Sequence, residues 1–336
     1  MSIYLSHTTA RATWGLIGAK GLVPGTLCDV RRPEDAEKTL RDIKSHGYFD
    51  AGFLGRLRKP YDLLCPSKDA RIRSKQISSR LCLRNLPEGS FRRIREDVYV
   101  VTPALNFVQM GEMLSIGQLV SYGLELCGDY ALAPTTERGF VDRPALTTVD
   151  ELHEMVVPGL HIKGSLTART ALRWVCAGSR SPRETTCFVL LCLPSGIGGY
   201  ELPMPLLNNK VSLSRNAARI VGRSVIRPDF CWPESHTLAE YDSDGTHLEK
   251  GQVIRDVDRK DAFMRDGWHV VTITNARLKY PERFDRLIRE DLAPLLGASV
   301  PDLTRDFLNA RKALRGEVMG FDPYEPRVPR DRARTS

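Results

Sequence analysis

Paired cysteines and long apolar runs are missing from this chain of 336 residues, and each absence argues against a class of protein. The eight cysteines are scattered, and none forms a Cys-x-x-Cys pair, which argues against a zinc ribbon and suits reduced, buried thiols. The longest apolar run, Cys187 to Leu193, is far too short to span a membrane. The N-terminus lacks the basic start and the apolar core that mark a signal peptide, so we expect none. We therefore expect a soluble, cytoplasmic protein without a membrane partner.

Charge and length bound what the protein can be. Lysine and arginine number 49 against 41 acidic residues, which gives a formal charge of +8 and a pI near 9.1. This excess favours an anionic partner such as nucleic acid. The length predicts two domains, and a hydrophobic content of 42% is enough for a substantial core.

The second half of the chain has the clearer secondary-structure pattern. A helix is predicted from Ser181-Pro182-Arg183-Glu184 onward, where the spacing of Ser and Glu also fits a capping box. Residues 128–147 have no apolar period and are predicted to form a loop. Strands are predicted at about 199–203, 226–231, 236–242 and 268–274, with a helix at 249–266.

Two of these strands carry acids at their ends. Asp229 follows Pro228, and Glu240 stands eleven residues later. A short link joins the two strands, so we expect a hairpin that brings Asp229 and Glu240 together at one edge of the sheet. Asp242 shares the face of Glu240, and such neighbouring carboxylates need a cation or a raised pKa. Carboxylates from different strands suit Mg²⁺. The alternatives are a strand-end aspartate bonded to a backbone amide and an exposed, solvated acidic face.

This block resembles the PD-(D/E)XK nuclease superfamily, in particular the branch similar to the very-short-patch-repair endonuclease. The likeness covers roughly residues 179–280. The matching elements, in the order of that branch, are Glu240-Tyr241-Asp242, Gly245-Thr246-His247, Asp256 to Arg259 and Gly267-Trp268.

The resemblance implies hydrolysis of a DNA phosphodiester that depends on Mg²⁺ or Mn²⁺. Asp229 and Glu240 would hold the metal, Glu184 or Asp242 would assist, and His247 would help to transfer a proton. Asp242 stands where the superfamily has a lysine. The cations nearby in sequence are His247, Lys250, Arg255 and Arg259, and the last three are candidates for contacting DNA phosphates.

The first half resembles the abortive-infection antitoxins of the AbiEi type. The matching pieces are Leu5-Ser6-His7 with Ala10, a strand near Leu81 to Leu86, and Val101-Thr102-Pro103 before an apolar helix. This likeness implies a domain that binds DNA or a partner, with a cognate toxin as one such partner.

Together these patterns predict an α/β protein. An α+β domain at 1–172 would precede a restriction-endonuclease-like domain at 173–296, which has a central mixed sheet flanked by helices. Residues 297–336 would form a C-terminal helix and a basic, disordered tail. The predicted function is a metal-dependent DNA endonuclease. The alternatives are a non-catalytic, DNA-binding regulator of a toxin–antitoxin system and a protein-interaction module.

Overall fold

A computed structural model describes residues 2–19, 25–33, 57, 59–133, 136–156, 162–242 and 250–320. The side chains of 17–19 and 250–257 fall outside that description. Backbone contacts divide the chain into two units, Met1–Asn106 and Phe107–Met319. Both units combine helices with a sheet that has parallel and antiparallel pairs, which confirms the α/β class.

In the first unit, the described residues form a mixed sheet and a long helix. Its described strands lie in the order β2-β5-β6-β1-β3-β4. The indole nitrogen of Trp14, in the helix, donates to the carbonyl of Val101 over 2.9 Å. The elements are β1 (Ile3–Leu5), α1 (His7–Ala19), β2 (Thr26–Cys28), β3 (Tyr61–Cys65), β4 (Ile77–Leu81), β5 (Phe91–Arg95) and β6 (Val98–Val101).

A buried carboxylate fixes the start of helix α1. Asp62, on β3, accepts a hydrogen bond from the backbone N–H of Thr8 over 3.2 Å. Its other oxygen accepts one from Nε of Arg80 over 2.9 Å. A negative charge near a helix N-terminus is favourable, so this aspartate ties the helix to the sheet without an unpaired charge.

The second unit begins with helices. The apolar stretch after Pro103 breaks before Ser115, which caps the next helix in a capping box with Gln118. Residues 128–147 are not simply a loop, because β7 and β8 pair there as a hairpin. The elements are α2 (Pro103–Met110), α3 (Ile116–Leu126), β7 (Tyr130–Leu132), β8 (Phe140–Asp142), α4 (Val149–Met155), α5 (Ser165–Ala171) and α6 (Pro182–Cys192).

A four-stranded mixed sheet follows, in the order β14-β13-β12-β9. β12 and β13 are antiparallel, and β14 is parallel to β13. The prediction of a strand at 199–203 is wrong. Glu201 has a φ of 58°, which is incompatible with an extended strand. The elements are β9 (Leu206–Leu207), β10 (Val211–Ser212), α7 (Arg215–Val221), β11 (Val225–Ile226), β12 (Phe230–Trp232), β13 (Thr237–Asp242), α8 (Lys250–Arg265) and β14 (His269–Thr274).

The connections from β12 to β13 and from β13 to β14 are the predicted short link and helix. A 3₁₀ turn at Pro233–Ser235 joins β12 to β13, with His236 in the left-handed region. α8 is the crossover that a parallel β13–β14 pair requires. Gly267 follows this helix with a φ of 80°, as a C-terminal glycine does. The strand pairing predicted around Asp229 and Glu240 is therefore confirmed.

Helices close the second unit. They are α9 (Asn275–Lys279), α10 (Pro281–Arg286), a π-helical turn (Leu287–Leu292), α11 (Ala293–Leu296) and α12 (Arg305–Val318). Arg311 of α12 forms a buried ion pair with Asp285 of α10. The predicted basic tail lies outside the described residues, apart from its helix.

The contacts place residues 107–172 with the second half of the chain, since α3 packs against α6. The predicted boundary at 172, between an α+β domain and the domain that follows it, stays a prediction.

Candidate active site

Asp229 directly precedes β12 and lies opposite Glu240 of the adjacent strand β13. The register pairs Phe230 with Ala239, and continuing it by one residue sets Asp229 opposite Glu240. Directly opposite residues point to the same face of an antiparallel pair. Oδ2 of Asp229 accepts a hydrogen bond from the backbone N–H of Tyr241 over 2.7 Å. The sequence-based alternative, an aspartate bonded to a backbone amide, is thus also realised.

Glu184 joins this pair from the start of α6. Its backbone N–H donates to Oγ of Ser181 over 3.2 Å, so Ser181 caps the helix. Its carboxylate does not complete the capping box, because Oε2 instead accepts from the backbone N–H of Arg180 over 2.9 Å. Burial, together with the negative charge of Asp229, raises the pKa of Glu184 to about 7. The predicted acid of α6 therefore lies near Asp229.

Asn208, which sequence reasoning missed, connects these acids. Its side-chain amide donates to Oε2 of Glu184 over 2.7 Å and to the carbonyl of Gly178 over 3.0 Å. Its backbone N–H donates to the carbonyl of Asp229 over 3.0 Å. The residue has a φ of 48°, a conformation in which asparagine is enriched. The Asn208-Asn209 pair indicates a turn, but nothing in the sequence marks it as part of a site.

Arg259 brings a positive charge to the acids. Its guanidinium nitrogen Nη2 lies 2.6 Å from Oε1 of Glu240 and donates to the carbonyl of Arg227 over 2.5 Å. The pKa of Asp229 is raised by burial, an effect that the hydrogen bond from Tyr241 and the charge of Arg259 oppose. Arg259 is one of the residues predicted to contact phosphate, and the structure places its guanidinium beside Glu240.

The other predicted residues have different outcomes. Asp242 is the exposed last residue of β13, level with Thr274 of β14, and shares the face of Glu240. Lys250 and Arg255 lie in α8, and their side chains are outside the description. His247 lies outside the described residues altogether. Its role as a proton-transfer group stays a prediction.

The donors at this site are carboxylate oxygens, the ligands that Mg²⁺ and Mn²⁺ accept. Within the ranges that the structure describes, no group of three or more His, Cys, Asp or Glu side chains is arranged to hold one ion. A metal here would therefore depend on Asp229 and Glu240, as the sequence predicts, with water completing its shell. Mg²⁺ commonly keeps several waters in this way.

No family model, curated protein or solved structure matches this chain. The function is therefore inferred from the residues and their geometry. In the part of the chain that the structure describes, no helix has both the length and the apolar character needed to cross a membrane.

Proposed function

We propose that the protein is a metal-dependent DNA endonuclease whose site is formed by Glu184, Asp229 and Glu240. One observation carries the proposal. Glu184 and Asp229 are buried acids, close enough for the charge of Asp229 to raise the pKa of Glu184. Glu240 is connected to them through Arg259, whose guanidinium pairs with Glu240 and opposes the rise in the pKa of Asp229. Buried acids with raised pKa values, brought together at one end of a sheet, are typical of catalytic sites.

A divalent cation suits this donor set. Asp229 and Glu240 would hold it, because both present hard oxygen ligands from opposite positions on neighbouring strands. A bound ion would supply an activated water and offset the charge of the transition state. The backbone N–H of Tyr241 holds the carboxylate of Asp229, and the backbone N–H of Asn208 holds its carbonyl. Asp229 would therefore be oriented before an ion binds.

Arg259 offers the positive charge that Asp242 cannot. The superfamily places a lysine two residues after the strand acid, where this chain has Asp242 at the exposed end of β13. Arg259 lies against Glu240 from the crossover helix instead. Its remaining guanidinium donors would contact the phosphate that is attacked, since arginine binds phosphate with more than one N–H.

The connectivity supports a restriction-endonuclease-like fold for this region. An acid-bearing helix precedes a mixed sheet, and the crossover helix is followed by Gly267, Trp268 and a parallel strand. These are the elements, in order, on which the resemblance rests. The fold assignment remains part of the proposal.

The second candidate is a non-catalytic DNA-binding regulator. The ion pair between Glu240 and Arg259 favours it, because an internal cation already neutralises one acid of the pair. Asp242 in the lysine position favours it as well. A cognate toxin partner, implied by the likeness of the first half to antitoxins, belongs to this candidate.

Plasmid cleavage separates the two. Purified protein is incubated with supercoiled plasmid and Mg²⁺ or Mn²⁺, beside Glu240→Gln and His247→Ala. We expect nicking by the parent, none by Glu240→Gln and less by His247→Ala. If parent and Glu240→Gln bind duplex, mismatched and single-stranded DNA but are equally inert, the regulator is the better assignment. Equal nicking by both would identify a contaminating nuclease.

A further inference from the structure

The segment between β9 and β12 carries charge of one sign only. Residues 208–227, here called the basic insertion, contain no aspartate or glutamate. They contain five basic residues, all of them exposed. These are Lys210, Arg215, Arg219, Arg223 and Arg227.

Some surface cations of the second unit sit beside acids, as in the pairs of Arg138 with Asp142 and Lys163 with Glu112. Among the residues that the structure describes, none of the five side chains in the basic insertion forms an ion pair with an acid. A run of exposed positive charge without counter-charges repels itself, so an external polyanion would stabilise it.

The basic insertion is a rigid platform. Val211, Leu213, Ala217 and Ile226 are buried in one apolar cluster with the β12–β13 strands and with Ala262 and Phe263 of α8. The backbone N–H and the hydroxyl of Ser214 both donate to the carboxylate of Asp266, over 2.7 and 2.5 Å. Short helix α7 therefore buries one side, and these contacts hold the backbone that carries its cations.

The exposed side of α7 carries Arg215 and Arg219, which lie one helical turn apart and share a face. Arg223 follows directly after Gly222, which ends the helix with a φ of 68°. The basic insertion ends next to the acids of the candidate site. Its last residue, Arg227, comes two positions before Asp229, and the carbonyl of Arg227 accepts a hydrogen bond from Arg259.

From this placement we infer that the basic insertion binds the phosphate backbone of duplex DNA and guides it to the acids. Arginines on a fixed helix contact phosphates without reading sequence, so this surface would position the duplex rather than select a site. The inference rests on the proposed function for the identity of the ligand. DNA binding can nevertheless be measured apart from cleavage.

The test uses the full chain and a fluorescein-labelled DNA duplex, titrated by anisotropy over a series of KCl concentrations. The variant Arg215→Gln/Arg219→Gln/Arg223→Gln should bind roughly tenfold more weakly at low salt. Its salt slope should fall by roughly 2 to 3, since each lost phosphate contact removes about 0.9. The triple Arg→Lys variant keeps the charge and should retain most of the affinity.

A matched control removes the same charge elsewhere on the second unit. Arg169, Arg305 and Lys312 are exposed on α5 and α12, and their triple Gln variant should leave the salt slope nearly unchanged. Thermal melts of all variants check that each is folded. An unaltered affinity and slope in the Arg215/Arg219/Arg223 variant would overturn the inference, and so would an equal loss in the control.

A membrane surface is the competing source of phosphate. Vesicles of phosphatidylcholine with phosphatidylserine test it, and loss of vesicle binding with unchanged DNA binding in the triple Gln variant also overturns the inference. Failure of the nuclease proposal looks different. The parent would then bind DNA through the basic insertion, with the expected salt slope, and yet nick no more plasmid than Glu240→Gln.

Discussion

Asn208 donates its side-chain amide to the buried carboxylate of Glu184 over 2.7 Å. The same residue holds the Asp229 backbone through its own N–H, so a single asparagine spans two acids of the candidate site. A donor to a buried carboxylate favours the charged form of that acid. Asn208 thus lowers the pKa of Glu184, against the larger effect of burial.

Two substitutions of Asn208 should distinguish how much its side-chain hydrogen bonds and its left-handed backbone each contribute to the unfolding free energy. Asn208→Ala loses the bonds to Glu184 and Gly178 and puts alanine at a φ of 48°, so we expect a loss of about 2–3 kcal/mol in unfolding free energy. Asn208→Gly loses the same bonds but tolerates the backbone, and should be about 1 kcal/mol more stable than Asn208→Ala. Urea denaturation at neutral pH measures both. Equal stabilities of the two variants would show that the left-handed conformation costs nothing here.

Glu184→Gln should change how stability depends on pH. A carboxyl whose pKa is raised in the folded protein stabilises it below about pH 4.5, and that contribution is lost as the pH rises through about 7. Glutamine stays neutral, and its oxygen can accept the two bonds that Oε2 accepts. At about pH 8 we expect the variant to exceed the parent by an amount on the order of 2 kcal/mol, and at about pH 5 the gain should shrink.

Chemical denaturation at the two pH values tests this expectation. Glu234→Gln, at an exposed position in the β12–β13 turn, is the control and should stay within about 0.5 kcal/mol of the parent at both. A Glu184→Gln variant that is less stable than the parent at about pH 8 would mean that the carboxylate is ionised without penalty.

The pairing of Asp229 and Glu240 could be predicted from sequence because local rules decide it. Few residues separate the two strands, so antiparallel pairing is the simple outcome, and the register then follows from the turn. The crossover helix was equally predictable, since its apolar spacing ends at Gly267. These short-range signals are sufficient to predict that Asp229 and Glu240 lie opposite each other.

Asn208 and Arg259 lie beyond such signals. Asn208 directly follows β9, a strand of only two residues that is too short for an alternating pattern. Its partners stand 24 and 30 positions away in sequence. Arg259 was predicted as a phosphate contact, yet its pairing with Glu240 depends on how α8 packs over the sheet. The β7–β8 hairpin was missed for a similar reason, because three-residue strands carry little periodicity.

Asp229→Asn should remove metal binding. Calorimetric titration of the parent with Mn²⁺ is expected to show binding that the variant lacks, because asparagine keeps the shape of the ligand and loses its charge. Its amide oxygen can still accept from Tyr241, so the fold should persist. Since burial raises the pKa of Asp229, the variant should also be modestly more stable than the parent above neutral pH. Unchanged Mn²⁺ binding would assign any metal to other residues.

Substitution of Arg259 should change metal binding and plasmid cleavage in opposite directions. Removing a cation beside Glu240 strengthens the field that attracts another cation, so Arg259→Gln should bind Mn²⁺ more tightly than the parent. The same variant should nick plasmid about 10²-fold more slowly, the usual cost of one lost transition-state donor. Arg259→Lys keeps the charge and should recover part of the rate, with Mn²⁺ affinity near that of the parent. If Arg259 had only a structural role, metal affinity and cleavage would fall together in Arg259→Gln, because the fold would be destabilised.

Tighter metal binding with slower cleavage would instead identify Arg259 as the cation that acts on the phosphate.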